Sequence, residues 1–97
     1  FYFVYLPDYF KYKNKLYDNT EFKNYRNVIN LVNELDIPII DINKELFRKH
    51  DDPLSLFPFR KLGHYNEKGY QLIAKTIFNI IYEFEFVNYK RIINNLF

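Results

Sequence analysis

The chain contains no cysteine, no methionine and no tryptophan, only two glycines and four prolines, and no long apolar run. Without cysteine there is no disulfide scaffold, no thiolate zinc site and no cysteine nucleophile. The missing thiols also leave the redox compartment open. No stretch approaches the roughly 18 apolar residues of a membrane span, so no membrane-spanning segment is expected. Phe1 to Leu6 is too short for a signal-peptide core and lacks its basic flank. Charge of one sign is also scarce: 14 Lys and Arg stand against 12 Asp and Glu, a net charge of +2. Nucleic-acid domains usually carry a basic stripe and a pI above about 9, so no nucleic-acid partner is expected. A chain of 97 residues fits one domain at most. It buries only about 60–65% of its unfolded surface, which makes stability without help marginal.

What is present is aromatic and polar: ten Tyr and eleven Phe, with abundant Asn, Ile and Lys. Such usage is that of an AT-rich coding sequence, so the aromatics are not by themselves a ligand signal. The Tyr and Lys alternation of Tyr9 to Tyr17 imitates a single-strand nucleic-acid platform, but composition explains it better. The chain opens Phe-Tyr-Phe-Val inside an apparent strand and has no methionine, which reads as part of a longer polypeptide.

Phe1 to Leu6 is apolar, contains β-branched Val4 and stops at Pro7-Asp8, the pattern of a buried strand entering a loop. Tyr9 to Asn19 has no periodicity and reads as an irregular connection. Phe22, Tyr25, Val28, Ile29, Val32 and Leu35 recur every three or four residues behind Thr20, a suitable N-cap, predicting an amphipathic helix over Thr20 to Leu35. Ile37 to Asp41 reads as a short strand, with Pro38 near its start where a missing N–H is tolerated. Asn43 to His50 reads as a short helix and Leu54 to Phe59 as a packed apolar loop. Asn66 then caps a helix whose stripe is Tyr70, Ile73, Ala74, Ile77, Ile80 and Ile81, ending near Glu83. Phe84 to Phe97 forms a second helical piece or an extension behind a weak break.

Strands alternating with amphipathic helices imply parallel pairing and right-handed crossovers. Two strands cannot make a covered parallel sheet, since such sheets have several strands and helices on both faces. The expected fold is therefore α/β: residues 1–97 form a single partial domain, with 84–97 as a C-terminal helical extension. It would be completed by a missing N-terminal part or by self-association.

His64 is the leading catalytic candidate. It follows Gly63 just before a helix N-terminus, where the dipole favours neutral imidazole over imidazolium. A neutral imidazole near pH 7 is what a general base requires. Helix capping is the plainer role for the same residue. Asp41 ends a strand, where ligand sites of parallel sheets lie, and can also cap the next helix. Asp51 and Asp52 precede Pro53 in a turn. Arg60 and Lys61 stand near enough to His64 to meet an anionic substrate, and Tyr65 follows it directly. Ser55, the sole serine, lies in an apolar loop without the strand-turn-helix setting of a nucleophile. His50 suits a helix C-terminus, and a His50–His64 metal pair lacks supporting carboxylates, so neither metal nor cofactor is expected.

The phrase Gly63-His64-Tyr65-Asn66-Glu67-Lys68-Gly69-Tyr70-Gln71-Leu72-Ile73-Ala74 resembles the last sequence block of SGNH/GDSL-type hydrolases. There a catalytic His is followed by Asn, Gly, an aromatic residue and an Ala-containing apolar helix. Leu35 to Asp41 looks like that family's penultimate helix-to-strand passage, and Phe1 to Leu6 like the strand before it. The likeness covers most of residues 1 to 83, with only His64 to Ala74 specific. It implies the C-terminal part of a three-layer α/β/α, flavodoxin-like domain with parallel strands. It also implies a serine esterase or acyltransferase acting on an acyl ester or acylated carbohydrate, with His64 as general base. The Ser nucleophile and the oxyanion-hole Gly and Asn of the family have no counterpart here, so the chain alone is expected to be inactive. An acid two or three residues before the His is also missing, since Lys61 and Leu62 occupy those seats. Asp41, Asp51 or Asp52 could orient the ring from another loop, a backbone carbonyl could do so, or a Ser-His dyad could suffice. The competing reading is a non-catalytic remnant or association module of the same fold. A nucleic-acid accessory domain is the weakest alternative.

Overall fold

A computed structural model describes residues 1–13, 19–61 and 63–96. The first strand, β1 (Phe3–Tyr5), is followed by one helical turn, α1 (Phe10–Lys13), and a longer helix, α2 (Asn19–Glu34). Strand β2 (Ile39–Asp41) runs directly into α3 (Ile42–Glu45). Three 3-10 turns follow, Phe47–Lys49, Pro53–Leu56 and Pro58–Arg60, and the chain ends in α4 (Glu67–Leu96). The helical turn of α1 falls inside the stretch expected to be irregular. Helix α2 starts one residue ahead of Thr20, and the side chains of Thr20 and Phe22 lie outside the described residues.

The strands β1 and β2 pair in parallel, with Phe3 beside Ile39, Val4 beside Ile40 and Tyr5 beside Asp41. Among the described residues the sheet has only these two strands, and the fold is predominantly helical, so the expected three-layer α/β/α architecture is not what the chain forms. The reason is physical. Strands of three residues present too little surface to carry a helical layer on each face. The apolar side chains instead converge on the loops and on one end of α4. Ile40, Ile42, Phe47, Leu56, Phe57 and Ile73 are buried together with Tyr9, and five of these seven lie outside both the sheet and the long helices.

Aromatic packing organises this core. Tyr12 stacks on Phe47 with centroids 5.1 Å apart, while Tyr65 lies 5.5 Å from Phe47 and 5.3 Å from Phe57. Each fully buried side chain of the Leu or Phe type contributes about 1.5–3 kcal/mol of burial. The Leu54 to Phe59 segment is thus a structural centre built from two 3-10 turns.

Helix α2 ends in a Schellman arrangement. The Ile37 amide donates to Val32 O at 3.4 Å and the Asp36 amide to Asn33 O at 3.0 Å, with Asp36 at φ 56°. The reversal satisfies carbonyls that a helix end leaves open and turns the chain toward β2. Along α2, Val32 is buried, whereas Leu35, counted in the expected inward stripe, is exposed.

Helix α4 is continuous from Glu67 to Leu96, with no break near Glu83. No Gly or Pro stands between Gln71 and Leu96 to interrupt it,. Ile73 is buried and Leu72, Ile77, Ile80 and Ile81 pack against the core, while Tyr70 and Ala74, expected inside, face outward. Thirty residues of helix span about 45 Å, and the longest dimension of the molecule is 54 Å. The Cα radius of gyration is 16.1 Å, against about 12.5 Å for a compact chain of this length. The C-terminal end of α4 therefore extends past the core, whose last contacts with it are made by Tyr2, 5.8 Å from the Phe84 ring centroid and donating its hydroxyl to Glu85 Oε1 at 2.7 Å. Among the described residues no helix is long and apolar enough to cross a membrane.

Candidate functional site

Both glycines of the chain fall in the seven residues that surround His64, and each has a definite reason to be there. Gly63 has φ 151°, a conformation that a side chain would strain,. Gly69, in the first turn of α4, lies so close to the Pro53–Leu56 turn that a Cβ would stand 2.6 Å from Leu56 O.

Asn66 joins these parts. Its Oδ1 accepts from the Gly69 amide at 2.8 Å, capping α4, and its Nδ2 donates to Ser55 O at 2.8 Å. The Asn66 amide donates to Leu56 O at 2.9 Å. Tyr65 is half-buried in the aromatic cluster and its hydroxyl donates to Pro7 O. That bond ties the His64 loop to the segment leaving β1. Burial, followed by the charge of Asp8, pushes the Tyr65 phenol well above its ordinary range. The hydroxyl proton is thus retained for donation to Pro7 O,.

Within this fixed surround His64 itself is exposed. No hydrogen bond engages its ring among the described residues. The imidazole stands shortly before α4, and the residues that follow it, Tyr65 and Asn66, are half-buried and hydrogen-bonded.

Two of the three aspartates are engaged elsewhere. Asp41 is buried at the end of β2, where Oδ1 accepts from the Lys44 amide at 3.2 Å and Oδ2 accepts from the Tyr25 hydroxyl. It therefore caps α3. Asp52 pairs with Arg60, Nη1 to Oδ2 at 2.6 Å, and that guanidinium bond holds its carboxyl below the usual carboxylate range. Its backbone carbonyl accepts from Ser55 Oγ at 2.6 Å, and its amide donates to His50 Nδ1 at 3.0 Å. Asp51 is exposed.

Arg60 is turned toward Asp52 through two successive left-handed residues, Phe59 at φ 52° and Arg60 at φ 58°. Lys61 is exposed, and its amide donates to Pro58 O at 3.0 Å, closing the last 3-10 turn. Leu62, one of the two seats where the resemblance expects an acid, lies outside the described residues. The sequence-derived candidates thus separate into two neighbourhoods: Asp52 with Arg60, and His64 with Tyr65. Asp41 joins neither. No group of three or more His, Asp or Glu with metal-binding geometry occurs among the described residues.

A second polar feature was missed in the sequence. A cleft lined by Tyr5, Asp8, Lys11, Asn24, Tyr25 and Val28 opens between β1, α1 and α2. Lys11 is only 8% exposed, with Nζ 3.7 Å from the Tyr25 ring centroid and 5.2 Å from that of Tyr5. The same Nζ donates to Tyr5 Oη at 3.4 Å. Two ring faces stabilise the ammonium that burial would otherwise penalise. Tyr25 links this cleft to Asp41, so it lies at the carboxyl ends of both strands. Nothing in the Tyr and Lys alternation of Tyr9 to Tyr17 distinguished Lys11 from its neighbours.

No family model matches the chain, and neither does any curated protein or any solved structure.

Proposed function

We propose that this chain supplies the histidine loop of a serine esterase or acyltransferase, with His64 as the general base. The observation that carries the reading is the contrast between His64 and its surround. Tyr65, Asn66 and Gly69 are all engaged in fixing the loop, while the imidazole is left exposed and without a hydrogen-bond partner among the described residues. A ring presented in this way costs no internal contact when it takes up a new hydrogen bond. The likeness of the Gly63 to Ala74 block to SGNH/GDSL-type hydrolases supports the same role.

In this reading His64 accepts the proton of a serine hydroxyl as its oxygen attacks an acyl carbonyl carbon. It returns that proton to the leaving alkoxide as the tetrahedral intermediate collapses to the acyl-enzyme. Water or an acceptor alcohol then repeats the sequence in reverse. Ser55 is not the nucleophile, since its hydroxyl is committed to Asp52 O. The serine and the oxyanion donors come from residues outside these 97. Asp52 is already paired with Arg60 and Asp41 with Tyr25, so Asp51, an acid from outside the segment, or a Ser-His dyad is the form this reading takes.

The test is p-nitrophenyl ester hydrolysis by the protein translated from the whole reading frame that encodes this segment, as wild type, His64→Ala and His64→Gln. Loss of a triad base lowers kcat by about 10³-fold or more, and both variants should show it with unchanged circular dichroism. Turnover within about twofold of wild type in either variant, or a wild-type protein that neither hydrolyses the ester nor labels with a fluorophosphonate, overturns the reading.

A further inference from the structure

The cleft beyond the strand ends is organised around a buried charge. Tyr5 and Asp41 end β1 and β2 side by side, and the Tyr25 hydroxyl, bonded to Asp41, fixes α2 beside them. Ligands of parallel sheets bind beyond strand ends of this kind. The Tyr5 and Tyr25 rings meet edge to face at 4.9 Å, and the ammonium of buried Lys11 is seated against both. Val28 extends this wall, while Asp8 and Asn24 bring a carboxylate and an amide to the same opening. We propose that the cleft binds a single neutral polyhydroxylated ring, the chemistry of a monosaccharide or a cyclic polyol.

Three properties select that class. The first is size. The cleft holds about 200 Å³, below the roughly 300–1,000 Å³ of pockets for drug-sized ligands, so its occupant is a small molecule of one ring. The second is charge balance. Among the described residues the lining carries one acid, Asp8, and one base, Lys11. An anion loses to Asp8 what it gains from Lys11, and a cation the reverse, so neither sign is favoured.

The third is the type of hydrogen bond on offer. Ionised Asp8 only accepts, Lys11 only donates, and Asn24 does both. A hydroxyl is an uncharged group that donates and accepts through one atom, so neighbouring hydroxyls on a ring can serve all three. The C–H edges of the same ring then pack on the tyrosines. A small zwitterion would meet both charges but leave the tyrosine wall without an apolar partner. The cleft adjoins the histidine loop, since Tyr65 donates to Pro7 O and Asp8 is the next residue. Its ligand is nevertheless independent of the role assigned to His64.

The experiment is a ligand-detected NMR titration of the protein translated from the whole reading frame. The probes are methyl glucoside, methyl galactoside, N-acetylglucosamine and myo-inositol, with phosphate and glycine as charged controls. At least one ring should bind with a Kd of about 10 mM or tighter, and more tightly than either control. Asn24→Ala, which removes one polar contact, and Val28→Phe, which fills the cleft, should each weaken it by about 10-fold or more. Both residues are exposed on α2, so both variants should keep the wild-type circular dichroism. If Val28→Phe does not fold, Asn24→Ala decides alone.

His64→Ala should bind the same ring within about twofold of wild type, so failure of the catalytic reading and failure of this one are told apart. If no ring binds with a Kd below about 10 mM, the proposal is overturned. Tighter binding of phosphate or glycine, or ring binding unchanged in the folded cleft variants, overturns it as well.

Discussion

A Cβ placed on Gly69 would lie 2.6 Å from the carbonyl oxygen of Leu56. The obstructing atom is backbone, and it belongs to a fully buried residue whose carbonyl also accepts the Asn66 amide at 2.9 Å. No rotamer change can move it aside. In an open helix Gly→Ala is stabilising by up to about 1 kcal/mol. Here overpacking should reverse the sign, and Gly69→Ala should destabilise by about 1–3 kcal/mol. Urea unfolding followed by circular dichroism measures it. A more stable alanine variant would mean that α4 does not rest on the Pro53–Leu56 turn.

The same junction gives a graded pair of substitutions at Asn66. Asn66→Ala removes both the cap on Gly69 and the bond to Ser55 O, and loss of such a cap costs about 1–2 kcal/mol. Asn66→Asp keeps an acceptor for the Gly69 amide, and its charge suits the helix N-terminus, but it puts a carboxylate oxygen against Ser55 O. Its stability should fall between wild type and alanine. If the two variants are equally destabilised in urea, the bond to Ser55 O outweighs the cap.

Local features of this fold were legible in the sequence where they depend on neighbours along the chain. The apolar runs before Pro7 and after Pro38 marked β1 and β2, the spacing of Tyr25, Ile29 and Val32 marked α2, and Asn66 marked the start of α4. The features set by distant contacts were not. Layering depends on how much sheet the strands build, and their pattern did not reveal that each pairs over only three residues. Gly69 reads as a weak point in a helix until Leu56 is seen beside it. The bond between Arg60 and Asp52 depends on the left-handed turn at Phe59 and Arg60, and neither is a residue type that announces such a turn. For His64, the loop residues around it were readable as a unit. That its ring is left exposed was not.

At the end of α2 the chain reverses through Asp36 at φ 56°. The left-handed conformation costs an L-residue roughly 1–2 kcal/mol, less for Asp, and glycine adopts it freely. Asp36 is exposed, so little packing is lost with its side chain. Asp36→Gly should therefore stabilise the protein by up to about 1 kcal/mol, raising the urea midpoint without changing the slope. A destabilised glycine variant would indicate that the Asp36 side chain makes a contact worth more than the strain.

The Tyr25 hydroxyl makes the longest-range test, because it joins α2 to Asp41 at the end of β2. Burial in the first place, and then the bond to Asp41, push its phenol up to about 12. An unfolded tyrosine titrates near 10, so the folded chain holds this proton more tightly. By linkage the stability it contributes is complete below about pH 10 and is lost as pH rises through about 12. Tyr65 is shifted in the same direction, so part of the alkaline loss should survive when Tyr25 is replaced by Phe. Tyr25→Phe should be less stable at pH 7 by about 1 kcal/mol, the cost of leaving buried Asp41 one donor short. It should also lose less stability between pH 10 and 12 than the wild type does. Urea midpoints at neutral pH and through this window decide the matter. Parallel pH dependence in the two proteins would show that the Tyr25 proton is not held by the fold.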